Sequence, residues 1–338
     1  MTILGIALAS PLVGILSDRY GRKRMLVGSS MLLALVTLGC SLAPSFSSLV
    51  LLRFAQGLLL PGLFAVGVAY ASDSLPNEIM RTVAGIYVAA TVIGGMLGRV
   101  LAGALSDLVN WRYGFGLSAL LYALLIILWL RLPALKLNSS KSLKTALFGT
   151  LSHLKNRALI GGLLVGFFLF FAFQATFTYL PFRLERDPFN LSATLIGLSY
   201  LTYTTGVFSS GLAGWFRGRS SLRVSFIIGF TLAILGNLMT LGSWLPVILI
   251  GLGVLCFGNF LVQGLAVGYV ATVTATDRAG ANALYLLFYY LGGSSGAYFP
   301  AYLFNEFGYG GVIGSSIAAL ILGLASAALL TGQFRQQV

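Results

Sequence analysis

The chain has 338 residues, of which 58% are hydrophobic and only 9% charged, against about 25% charge in ordinary soluble proteins. So little charge at a mean hydropathy of +0.93 excludes a soluble globular protein and leaves a polytopic membrane protein, with the lipid bilayer as its first partner. The net charge of +13 does not define a nucleic-acid surface, because the basic residues fall in separate short loops between apolar runs; no nucleic-acid partner is expected.

A helix crosses the hydrocarbon core with about 20 apolar residues. On that length the sequence predicts eleven spans, over 3–16, 25–43, 49–71, 82–105, 113–132, 159–182, 195–216, 224–241, 247–271, 281–304 and 311–330. Between the first two lies GILSDRYGRKR, residues 14–24, a burst of charge in an otherwise nearly uncharged region. Gly14 and Gly21 flank it and predict a tight helix-to-helix turn. With this turn in the cytoplasm and the spans alternating, sixteen of the 21 Lys and Arg face the cytoplasm. Only Arg112, Arg183 and Arg186 face outward, and Arg53 and Arg99 fall inside spans. That asymmetry is the positive-inside pattern. It places the C-terminus in the cytoplasm and Met1 outside, so we expect one helix to be missing before Met1; a native protein of eleven spans is the alternative.

The longest polar stretch, 133–156, carries Lys136, Lys141, Lys144 and Lys155. It is read as a cytoplasmic linker, partly an amphipathic helix on the inner leaflet. It divides an N-terminal bundle, 1–132, from a C-terminal bundle, 157–338. These halves repeat at an offset of 197–198: Gly14, Gly21 and Arg22 land on Gly211, Gly218 and Arg219, Arg81 on Arg278, and Tyr87 on Tyr285. Gly94, Gly95 and Gly98 land on Gly292, Gly293 and Gly296. The repeat sets Asp18 opposite Trp215, so the second copy has lost its acid. Parallel six-helix repeats define one large transporter architecture.

Polar side chains at membrane depth are costly and mark candidate sites. Arg53 and Arg99 are the sharpest, since no Asp or Glu lies deep in any predicted span. Tyr87, Thr91, Gly95 and Arg99 share one helix stripe by their spacing of four, and Tyr285, Tyr289 and Gly293 form its counterpart. Gln174 with Thr178, Tyr200 with Tyr203, and Asn259 with Gln263 complete the deep polar set; interhelical hydrogen bonds are the ordinary role of such groups. Cys40 and Cys256 sit in apolar runs and His153, the single histidine, in a loop. No cluster of His, Cys, Asp or Glu lies at membrane depth, so no catalytic residue, metal or cofactor is expected, and the chain is not read as an enzyme. No G-x-x-x-x-G-K-[ST] loop is present, which disfavours an ATP-driven pump.

These residues together resemble the major facilitator superfamily. GILSDRYGRKR is similar to that family's signature G-x-L-x-D-R-x-G-R-[RK]-x, and Arg53, Gln56 and Gly57 to its fourth-helix pattern R-x-x-Q-G. Gly85, Gly94 and Gly98 match the spacing of its fifth-helix antiporter motif, although Arg99 stands where that motif has proline. The resemblance covers the whole chain as helices two to twelve of the major facilitator fold, two pseudo-symmetric bundles, and is nearest to drug:proton antiporter-like efflux permeases, among them those grouped as arabinose efflux permeases. It implies a gating role for Gly14, Asp18, Arg19, Gly21, Arg22 and Arg24, with Asp18 docking on the partner half, and a coupling role for Arg53 and Gln56. It implies a substrate cavity for which Tyr87, Thr91, Arg99, Gln174, Tyr203, Asn259, Gln263, Tyr285 and Tyr289 are the candidates. The expected protein is a monomeric, alternating-access secondary transporter in the bacterial inner membrane, exporting a small organic solute against inward protons. An uptake symporter for a sugar or organic anion is the alternative, favoured by the two deep arginines; a truncated, non-transporting remnant is another.

Overall fold

In the computed structural model the described residues are 1–135, 153–219, 221–273 and 278–334. At several helix positions, among them Arg81, Gly85, Gly218, Arg219 and Arg278, only the backbone is described. The predicted linker falls mostly outside the described residues, as does its amphipathic helix. Two compact units divide at Phe148 and Gly149, inside that linker.

Unit 1 holds α1 (Thr2–Tyr20), α2 (Arg22–Ser41), α3 (Phe46–Leu59), α4 (Pro61–Ser74), α5 (Asn77–Leu108) and α6 (Trp111–Arg131). Uninterrupted apolar runs make these helices, because in lipid every backbone N–H and C=O must be satisfied within the segment. Polar residues start them: Ser45 and Ser48 form a capping box before α3, and Asn110 accepts from the Arg112 N–H before α6. Pro61 follows Leu60, which stays helical at φ −54°, so α3 and α4 make one passage from Phe46 to Ser74. In unit 1, α2 packs on α3, α4 and α6, α1 on α3 and α4, and α5 mainly on α6. Ala9, Val13, Leu26, Val66 and Tyr70 form a core cluster, closed by Leu63 and Trp129.

Unit 2 holds α7 (Arg157–Leu184), α8 (Ala193–Ser199), a 3₁₀ turn (Tyr200–Thr202), α9 (Tyr203–Arg219), α10 (Leu222–Met239), α11 (Leu245–Val273), α12 (Arg278–Tyr298) and α13 (Pro300–Phe334). Helix α7 is its centre, flanked by α12 and α13 and touched by α11; α11 in turn carries α9 and α10. Gly308, at φ +62°, breaks α13, and it stands 198 positions after Asn110, where unit 1 breaks between α5 and α6. Among the described residues eleven helical passages thus follow the eleven predicted spans. Nine segments pass by length and composition as membrane spans.

One expectation is corrected. Gly14 is not part of the turn. Helix α1 runs on through Asp18 to Tyr20, and Gly21 alone, at φ +92°, joins it to α2. Ser17 Oγ bonds the Gly14 carbonyl at 2.8 Å, so the last turn keeps its partners while its polar residues emerge. Only glycine takes that φ without strain.

Each unit closes the C-terminal end of one helix with an arginine. In unit 1, Arg112 Nη2 donates to the Ala43 carbonyl at 2.8 Å and its guanidinium lies 4.5 Å from the Trp111 ring. In unit 2, Arg183 Nη2 donates to the carbonyls of Leu241 and Gly242, at 2.9 and 2.8 Å, and lies 4.9 Å from the Tyr309 ring. These carbonyls follow the C-termini of α2 and α10, where unpaired acceptors and the negative dipole end favour a cation.

Candidate functional site

The charged turn is built around Arg22. Arg22 pairs with Asp18 at 3.1 Å and Nε donates to Asp73 Oδ2, while Nη1 reaches Ser17 Oγ at 3.2 Å. One guanidinium therefore ties α1 to the end of α4 with charge-assisted bonds; with both carboxylates partly exposed, solvent screening holds each to roughly 0–1 kcal/mol. Lys23 Nζ donates to the Leu130 carbonyl at the end of α6. A cleft of about 250 Å³ opens beside these groups, lined by Asp18, Arg19, Arg22, Lys23, Arg24 and Leu135. Asp18, expected to dock on the other half, has Arg22 as its partner within unit 1. Asp73 was not among the sequence candidates. Its signal was topology: the alternation that put the basic turn in the cytoplasm puts the end of α4 there too.

Arg53 sits midway along α3, the eighth of the 29 residues of the α3–α4 passage. Its Nη1 donates to Gln56 Oε1 at 2.9 Å, and Gln56 Nε2 donates to Thr37 Oγ1 on α2 at 2.6 Å. The guanidinium lies 5.5 Å from the Phe115 ring of α6. Gln56 and the Phe115 ring carry no charge, so Arg53 holds a full charge on neutral partners. Gly57, next to Gln56, lets α1 cross α3: a Cβ there would stand 2.1 Å from the Thr2 carbonyl.

On α5, Tyr87, Thr91 and Arg99 lie on an exposed face of unit 1. Thr91 Oγ1 donates to the Tyr87 carbonyl and Arg99 Nη1 to the Gly95 carbonyl, at 2.8 and 2.9 Å. Gly94 and Gly98 meet no atom within 4 Å in the place a Cβ would take. The surroundings of Gly85 lie outside the described residues. The repeated glycines of unit 2 behave differently. A Cβ at Gly292 or Gly296 would strike the carbonyls of Phe167 or Phe171 at 2.0 and 2.1 Å. So α12 lies directly against α7.

That contact assembles an aromatic band. Tyr289 stacks on Phe170 at 4.2 Å with planes 4° apart. Tyr285 lies 6.0 Å from Tyr289, and Phe173 links Phe170, Tyr203 and Phe260 at 6.3, 5.3 and 5.8 Å. The Tyr285 ring rests on Gly166, where a Cβ would come within 2.7 Å. Gln174 Nε2 donates to Thr178 Oγ1 at 3.1 Å within α7, where an interhelical bond was the ordinary expectation. Asn259 and Gln263 follow one turn apart on α11, with Asn259 next to Phe260. Of the sequence candidates, the structure thus gathers Tyr203, Tyr285 and Tyr289 into one aromatic band in unit 2, with Asn259 and Gln263 on the α11 turns beside Phe260. Tyr87, Thr91 and Arg99 stand apart on unit 1.

A bundle of membrane-crossing helices repeated once along the chain, with polar groups at mid-depth and no cluster of metal-binding side chains among the described residues, defines a polytopic transport protein. The family model for the Major Facilitator Superfamily matches residues 1–297, and the chain belongs to that superfamily. It is 30% identical over 327 residues to the inner membrane transport protein YnfM of Escherichia coli, covering 95% of this chain and 77% of that protein. It is 28% identical over 267 residues to the chloramphenicol resistance protein CraA of Acinetobacter baumannii, covering 76% and 64%. A bacterial homologue of the human lysosomal transporter Spinster, solved inward-facing and occupied, shares the fold at a TM-score of 0.72 and 16% identity, over 99% of this chain and 89% of that one. The membrane-enzyme reading is thereby set aside.

Proposed function

We propose that the protein is a proton-coupled efflux carrier of the bacterial inner membrane, acting as a monomer with its C-terminus in the cytoplasm and exporting a small organic solute by alternating access. The observation that carries the coupling is Arg53, a cation at membrane depth whose partners are neutral. A guanidinium does not deprotonate in the working pH range. Arg53 therefore supplies a fixed positive field, against which a proton-bearing group on another helix or on the solute is held or released. The Gln56–Thr37 chain fixes where that charge stands. Efflux is supported by the likeness to CraA, and an inner-membrane site by the likeness to YnfM. The Arg22–Asp18–Asp73 network is assigned to the gate: it joins α1 to α4 at the face where the basic loops gather, and its parting would free both ends.

The test is transport by the full chain in proteoliposomes carrying a pH-sensitive dye in the lumen, with chloramphenicol as probe. Solute added to the side from which it is exported should draw protons the opposite way, and Arg53→Gln should cut that proton flux at least tenfold while leaving reconstitution unchanged. Proton and solute moving together would replace efflux by uptake symport, which two deep arginines would suit for an organic anion. Solute movement indifferent to the pH gradient would overturn coupling.

A further inference from the structure

Helices α10 and α13 pack side by side in unit 2 and run antiparallel. The Tyr309 hydroxyl, just after the Gly308 break in α13, donates to Thr240 Oγ1 at the end of α10. Farther along α13, Gly323 lies against the Phe230 ring, where a Cβ would come within 2.8 Å. Beside that contact the helices leave a groove of about 340 Å³. Phe226 and Ile227 of α10 form one wall, and Ile321, Leu324, Ala325 and Ala327 of α13 the other. Phe226 and Ala327 are buried and make the floor, whereas Ile227 and Ile321, 42% and 54% exposed, make the rims. From Ile321 to Ala327 the helix rises about 9 Å, and the groove follows it over that length.

Arg223 is the one polar residue of the lining. It stands exposed in the first turn of α10, at the end of the apolar wall that Phe226 and Ile227 continue. No carboxylate lies near it along these helices. The only acid in the described helices of unit 2 is Glu306, three residues before Tyr309 and so beside the far end of α10. From Arg223 to that end α10 rises about 25 Å.

Both helices are long and apolar enough to cross the membrane. An apolar trench open to its surroundings takes an apolar occupant, and the cation at its end calls for an anion. A phospholipid carries both parts in that order, a hydrocarbon chain and a phosphate at the membrane surface. A small anion would leave the trench unfilled. An apolar helix of a second copy would cover Arg223 and strand its charge. The guanidinium fork matches phosphate oxygens in pairs, and the start of α10 adds its positive dipole end.

We infer that the groove between α10 and α13 binds one anionic phospholipid, with an acyl chain laid along Ile321 to Ala327 and the phosphate paired with Arg223. The site stands apart from the cargo, and from the direction and coupling of transport.

Native mass spectrometry of the full chain in detergent counts the lipids that remain bound. The probes are phosphatidylglycerol and phosphatidylcholine with the same oleoyl chains, and glycerol 3-phosphate as a headgroup with no tail. One phosphatidylglycerol per chain should bind at least about fivefold more tightly than phosphatidylcholine, the preference one basic residue supplies at a membrane surface, and glycerol 3-phosphate should not be retained. Arg223→Gln should bring that preference below about twofold, while Arg223→Lys, which keeps the charge, should hold it above about twofold. Ala325→Trp fills the trench and should weaken both lipids at least about fivefold. Arg223 and Ala325 are both exposed, so these variants leave the core intact. A preference for phosphatidylglycerol that survives Arg223→Gln unchanged would overturn the inference, as would lipid binding indifferent to Ala325→Trp. Retention of glycerol 3-phosphate as tight as that of the lipid would make this a soluble-anion site instead. A dimer that Ala325→Trp dissociates, with no lipid retained, would make the groove a contact between copies and equally overturn it.

Discussion

Helices α5 and α12 carry the same glycine motif, and the structure assigns it opposite responses to a single methyl group. At Gly292 and Gly296 an added Cβ would stand 2.0 and 2.1 Å from backbone carbonyls of α7. Ordinary carbon–oxygen contact needs more than 3 Å, and a backbone atom cannot rotate aside, so α12 must separate from α7 by about an ångström. Overpacking costs about 1–3 kcal/mol, and against a backbone wall that cannot rotate aside the upper part of that range applies, about 2–3 kcal/mol. Alanine returns about 1 kcal/mol through its better helix propensity. The net loss is then about 1–2 kcal/mol at each site, and the Phe170–Tyr289 stack is the contact that gives first. At Gly94 and Gly98 nothing lies within 4 Å, so only the propensity gain remains. Thermal unfolding in detergent, followed by the loss of the monodisperse peak, reads both. At about 2–4 °C per kcal/mol for a unit of this size, Gly292→Ala should lower the midpoint by about 2–8 °C. Gly94→Ala should leave it level or raise it by about 2–4 °C. A shift of the same sign for both would refute the reasoning.

The bridge at Arg22 should show as coupling. Asp18→Asn and Asp73→Asn share one guanidinium, so their effects on unfolding should depart from additivity by more than about 0.5 kcal/mol in a double-mutant cycle; strict additivity would mean that Arg22 serves one of them only. At the end of α10, Arg183→Lys should cost about 1 kcal/mol, because an ammonium does not reproduce the fork to the carbonyls of Leu241 and Gly242 while lying flat on the Tyr309 ring. Arg112→Lys should cost less, having one carbonyl to lose. Chemical denaturation of the two variants side by side checks the order.

Much of this was legible because a membrane simplifies the reading. Hydrophobic length set the spans, and glycines at one offset set the repeat. What stayed hidden depends on neighbours brought in by packing. Asp73 looked like an ordinary helix end until α4 was laid beside α1. The turn was read as eleven residues wide, whereas the helix continues as long as its carbonyls have partners, and a single left-handed glycine suffices to reverse it. The two glycine motifs read alike, yet one faces α7 and the other an open face of its unit. Tyr203 was marked by depth and Tyr289 by its place in the repeated helix stripe, but the ring geometry that makes them one surface with Phe170 and Phe173 comes only from helix packing. Gln174 and Thr178 were read as partners for other helices, yet they bond each other within α7.

The arginines that close the ends of α2 and α10 bear on how a duplicated fold ages. The acceptors are inherited: Ala43 and Leu241 stand 198 positions apart, as do the rings of Trp111 and Tyr309. The donors are not, for the guanidinium comes from the start of α6 in one unit and the end of α7 in the other. A vacancy in the backbone thus outlives the residue that fills it, and any nearby chain can take over the post. Transferring a residue's role from one half to the other by numbering alone would assign Gly310 the task of Arg112. The sounder rule for such proteins is to carry over the unmet group first, and then ask which side chain in each half has come to answer it.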